Sequence, residues 1–131
     1  MSIELTNESE FDVESERIVA MLGHHFTRLK LSPRTELSVM FVNEDAMEQL
    51  HIKWMDEPGP TDVLSFPMDE LRPGDPNAEG VLGDIVICPQ VARLQADAAG
   101  HAEIDEVMLL ATHGLLHLLG FDHEDQEQEN E

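Results

Sequence analysis

Between Val107 and Leu119 the chain is apolar nearly all round, broken only by Thr112, His113, Gly114 and His117. A helix with that surface belongs in the middle of a fold, not on its outside. The two histidines stand four residues apart, so a helix carries them on one face, one turn from each other. Gly120 follows three residues later. There a helix can end in a left-handed turn that costs other residues more. The chain then folds back and brings His123 toward the same point. Three neutral imidazoles with no fourth side chain describe a catalytic zinc site, one ion with a position open to water. A closed structural site would favour cysteine, which is missing from this stretch. A lone histidine in an apolar helix ordinarily packs or caps. Three at this spacing in a leucine-rich run favour the metal.

Zinc peptidases of the metzincin type read H-E-x-x-H-x-x-G-x-x-H, and this chain reads H-G-x-x-H-x-x-G-x-x-H from His113 to His123. The ligand spacing is kept, but Gly114 stands where the general base would be. Glycine takes no proton from water and hands none to a leaving amine. A bound metal would still lower the pKa of its water to about 7 and polarise an anionic oxygen. The residues therefore describe a metal hydrolase without the peptidase base, its catalytic group being the metal-bound water.

These residues resemble the signature of the YbeY family, metal-dependent endoribonucleases of single-stranded RNA that act in ribosomal RNA maturation. Pro60-Thr61-Asp62-Val63-Leu64-Ser65-Phe66-Pro67 and Leu82-Gly83-Asp84-Ile85 resemble two further blocks of that family. The resemblance runs from about residue 50 to residue 123. It implies a zincin-like fold and processing of ribosomal RNA, at the 3′ end of the 16S molecule. It also implies a role in ribosome quality control, with single-stranded RNA and the small ribosomal subunit as partners and no DNA. Many members carry an Arg near the position of Met55, where it could contact phosphate. Here Lys53 is the nearest substitute, a point charge without the guanidinium fork. The family usually continues into a helix after the histidine motif, where this chain reads as an acidic stretch.

A chain of 131 residues suits one domain, residues 1–123, with residues 124–131 as an acidic tail. Hydrophobic residues at 41% suffice for one core. No run nears the roughly 18 apolar residues that span a bilayer, so no membrane partner is expected. Residues 1–7 lack the basic start and apolar core of a signal peptide. Cys88 is the sole cysteine, which excludes an intrachain disulfide and fits a cytoplasmic setting.

The charge balance runs against a polyanionic substrate. Asp and Glu number 28 against 7 Lys and Arg, a formal net charge of −21. Such a chain repels nucleic acid at long range, whereas nucleic-acid binders are usually locally basic. Two acidic segments, Glu4 to Glu16 and Asp122 to Glu131, carry much of the excess, which leaves room for a local basic strip. His24, His25, Arg28, Lys30 and Arg34 form the one cluster of cationic groups. It reads either as a phosphate-facing patch or as ordinary cations at a helix C-terminus. Arg28 and Lys53 are the candidate substrate contacts.

Along the chain, Ser2–Leu5 suits a short edge strand, and Ser9 to Asp12 suits a cap opening a helix from about Glu10 to Leu29. Thr35–Val42 reads as an internal strand, apolar on both faces. Asn43 suits the N-cap of a helix to about Trp54. Val63–Phe66 is a short strand, and residues 67–80, rich in Pro and Gly, a long loop expected to border the site. Leu82–Cys88 should be a buried strand. Its Asp84 needs a partner, either a metal-bound histidine or a turn. Pro89 opens a helix that Gly100 ends. A last helix begins near Glu103 and packs through Ile104, Met108, Ala111 and Leu115, roughly opposite His113 and His117. The order predicts an α+β domain, a small mixed sheet of about four strands against helices, with the metal site on the last helix.

Two other functions fit the same motif. One is a metal-dependent hydrolase of a peptide or small phosphoester, with Gly114 arguing against peptides. The other is a non-enzymatic, zinc-stabilised ribosome assembly factor, which a fourth protein ligand on the metal would favour.

Overall fold

Strands and helices alternate in the order the sequence predicts. They are β1 (Ser2–Asn7), α1 (Ser15–Arg28), β2 (Arg34–Phe41), α2 (Glu44–Met55), β3 (Val63–Pro67), β4 (Glu79–Ile87), α3 (Pro89–Ala99) and α4 (Glu103–Leu118). The computed structural model describes residues 2–59, 61–69, 71, 74 and 79–121. His123 and residues 124–131 lie outside the described residues, as does most of the stretch 70–78.

The strands form one mixed sheet in the order β1-β2-β4-β3. β1, β2 and β4 run parallel, and β3 runs antiparallel to β4. The fold is therefore α+β, as expected. β2 is internal because both its faces are apolar. Leu37, Val39 and Phe41 are buried on one side, while Met40 and the adjoining Val42 pack on the other. β1 and β3 are the edges.

The two sheet faces carry separate cores. One joins Ile18, Leu22 and Phe26 of α1 to Val39, Phe41, Ile85 and Ile87 of the sheet and to Val107, Ala111, Leu115 and Leu118 of α4. The other gathers Val42, Met47, Leu64, Val86 and Cys88 beneath α2. α4 touches α1, α3, β3 and β4, which explains why its sequence is apolar nearly all round. Its approach to β4 is close. A Cβ at Gly114 would lie 2.8 Å from Ile85 Cγ2.

Four details differ from the expectation. α1 starts at Ser15 instead of Glu10. Asn7 Oδ1 accepts from the Ser9 amide at 2.9 Å and hydroxyl at 2.6 Å, and Ser9 Oγ accepts from the Phe11 amide at 3.2 Å. These local bonds give the backbone an alternative to helix. Asn43 makes no side-chain cap on α2. Its Oδ1 instead accepts from the Glu10 amide at 3.0 Å, across the molecule, while Gln90 Oε1 accepts from the Glu44 amide at 3.0 Å. On α4 the buried stripe runs through Val107, Ala111, Gly114, Leu115 and Leu118, with Ile104 and Met108 only partly buried at its edge. β1 and β4 are longer than expected. β4 pairs with β2 from Glu79, and its register shifts at Leu82, between the partners of Glu36 and Leu37. The Met68 and Asp69 amides bond to the Leu82 and Val81 carbonyls, each at 3.0 Å, so the hairpin extends into the expected loop.

Candidate metal centre

A cleft runs between α4 and the edge strand β3. His113, Gly114 and His117 line one wall and Asp62, Val63 and Ser65 the other, and Met55 and Phe121 also line it. The core-facing stripe of α4 turns the opposite side of the helix outward, so His113 and His117 are exposed in this cleft, one turn apart. α4 closes with the Gly120 amide bonded to the His117 carbonyl at 3.0 Å and the Phe121 amide to the Leu116 carbonyl at 2.9 Å. Gly120 takes φ 90°, the left-handed turn its position predicts.

The structure thus brings together two of the three predicted ligands. Among the described residues no three His, Cys, Asp or Glu side chains form a metal-binding group, and the third predicted ligand, His123, lies outside them. The donor set fits a divalent ion that takes imidazole nitrogen. Two rings share one cleft, and the residue following His113 contributes no side chain. The Asp62 carboxylate is already engaged. Oδ1 accepts from the Val63 amide at 2.8 Å and the Thr61 hydroxyl at 3.3 Å, and Oδ2 from Gln95 Nε2 at 3.2 Å. These bonds fasten the start of β3 to α3. Gly114 has a steric reason as well as a chemical one, since a glutamate there would collide with Ile85.

The remaining predicted residues lie elsewhere. Asp84 pairs in register with Ser38 and Phe66, and Phe66 packs with the core beneath α2. Neighbouring residues on a strand face opposite ways, so Asp84 is on the α2 side while Ile85 meets α4. Of the two roles open to Asp84, this face does not favour a bond to His113 or His117. Lys53 sits on the exposed side of α2, its ammonium 5.1 Å from the centre of the Trp54 ring. It does not line the cleft, although Met55 does. Arg28 ends α1 with its guanidinium 3.4 Å from His25 Nδ1, also outside the cleft. Of the expected loop, the described residues Met68, Asp69, Leu71 and Gly74 do not line it either.

Among the described residues two titrations are shifted. Burial, then the charges of Arg28 and His24, hold the His25 imidazole below its ordinary range. His25 Nε2 lies 3.3 Å from Thr112 Oγ1, joining α1 to α4. Burial pushes the Cys88 thiol up, which suits a packed thiol more than a nucleophile.

Asp62, Ser65, Phe121 and His51 have roles that the sequence alone does not reveal. His51 Nδ1 lies 2.9 Å from the Gly59 carbonyl and Nε2 3.1 Å from Glu57, while Glu48 accepts from the Gly59 amide at 2.8 Å. This clasp shapes the segment that leads into β3. For Asp62 the available signal was a short acceptor side chain at the start of a strand. The His51 clasp had none.

The model of the family "Endoribonuclease YbeY" matches residues 3–131. Relatives named endoribonuclease YbeY include one from Leifsonia xyli, 54% identical over all of this chain and 88% of its own length. Another, from Renibacterium salmoninarum, is 57% identical over all of this chain and 85% of its own length. The solution structure of TM1509 from Thermotoga maritima superposes with a TM-score of 0.64 at 26% identity, covering 92% of this chain and 74% of that one. A family match over nearly the whole chain, and relatives more than half identical along it, agree with the cleft and its paired histidines: the chain belongs to the YbeY family.

Proposed function

We propose that this chain is a zinc-dependent endoribonuclease that cuts single-stranded RNA in ribosomal RNA processing at the small ribosomal subunit in the cytoplasm. The supporting observation is the cleft itself. Two exposed imidazoles face an edge strand across it, and Gly114 offers no proton-transferring group. His113 and His117 would hold the ion, with His123 as the third ligand. When bound, it supplies Lewis acidity for negative charge developing on phosphoryl oxygens. The protein's own contribution is placement. α4 holds the two rings on a rigid, buried element. Asp62 and Gln95 fix the opposite wall, and unpaired RNA, whose bases can be splayed out, is the expected substrate. Relatives at 53–57% identity bear the name endoribonuclease, which supports the substrate class.

The test sets labelled single-stranded RNA beside its duplex and casein, each with and without chelator. Cleavage of the single strand alone, abolished by chelator and restored by zinc, is expected. Chelator-resistant cleavage of RNA, or hydrolysis of casein in its place, would contradict it.

A further inference from the structure

The last turn of α2 exposes a tryptophan that no packing role requires. Trp54 is 57% exposed, and its ring meets Phe66 at 5.9 Å in an edge-to-face arrangement. Both residues adjoin the cleft in sequence, since Met55 and Ser65 line it. The Lys53 ammonium stands over the indole, 5.1 Å from its centre. None of the described ion pairs engages Lys53. Glu57, four residues further on, is drawn to His51. On a chain of net charge −21, a cation over an exposed aromatic ring next in sequence to a residue lining the cleft is a specific juxtaposition.

We propose that Trp54 is a stacking platform for an unpaired base of the RNA strand entering the cleft, with Lys53 meeting the adjoining phosphate. This rests on the ribonuclease reading above and adds a residue that selects single strands. Every base has a π-face, so an aromatic platform with a neighbouring cation binds single strands with little regard to sequence. In a duplex those faces are already stacked on neighbours, and the platform gains nothing. The arrangement also addresses the charge problem, because local stacking does not depend on the net field of the protein.

Trp54 is the only tryptophan, so its emission reports on this site alone. The probe is a fluorescein-labelled single-stranded 2′-O-methyl oligouridylate, whose bases stack little on each other, used alone and annealed to its complement. The single strand should quench Trp54 emission and the duplex should not. By anisotropy of the label, Trp54→Ala should weaken binding about ten-fold and Trp54→Phe should largely restore it. An oligomer with abasic sites should bind wild type and Trp54→Ala alike. If wild type binds and cleaves single strands while its emission is unchanged, or Trp54→Ala binds within about two-fold of wild type, the platform is refuted and the ribonuclease reading stands. Equal quenching by the duplex also refutes it. If wild type neither binds nor cleaves single strands, both readings fall.

Discussion

Gly114 lies between the two histidines in sequence and against Ile85 in space. A methyl group there would meet Ile85 Cγ2 at 2.8 Å and Cδ1 at 3.1 Å. Alanine is the better helix former, so propensity alone favours Gly114→Ala by about 1 kcal/mol. Overpacking a close helix–sheet contact costs about 1–3 kcal/mol, and we expect the clash to win. Urea unfolding should show a net loss, and Ile85→Ala should cost less in the Gly114→Ala background than alone. A variant as stable as wild type would mean that the contact yields freely. At this scale the histidine pair was legible because helical spacing fixes which side chains share a face. The role of Asp84 was not. A strand residue's face depends on pairing register, and here Ser38 and Phe66 carry it to the side away from α4.

Elements were legible where one residue dictates a boundary. Pro89 opens α3 and Gly100, at φ 77°, ends it, as the sequence predicts. α1 was misjudged because its apparent cap spends its hydrogen bonds on Asn7 and Asn43 instead of on a helix. Asn43 therefore acts as a tie between two segments 33 residues apart, not as the cap of α2. Asn43→Ala should cost up to about 1 kcal/mol. In hydrogen exchange the Glu10 amide should lose protection while the first turn of α2 holds. Fraying of α2 with Glu10 unchanged would restore the capping role.

For the whole molecule, the alternation of elements predicted the fold class, but not the sheet order. That order comes from β3 and β4 forming a hairpin whose inner strand joins β2, leaving β3 as the edge beside the cleft. The joint between α1 and α4 gives the molecule a pH dependence. His25 is held below its ordinary pKa when folded, while in the unfolded chain it titrates near 6.5. The unfolded state thus binds more protons as pH falls through that value. The contribution of neutral His25 is complete above about pH 6.5 and is lost as pH drops toward the lower folded value. Denaturation midpoints across this range should fall less steeply for His25→Gln than for wild type. Parallel profiles would show that the ring does not matter to stability.

Whether His113, His117 and His123 hold one ion together is decided by metal content, measured on purified wild type and on the three single alanine variants. One equivalent of zinc in wild type, lost in each variant while the fold survives by circular dichroism, is the predicted result. Full occupancy retained in any of the three would contradict it.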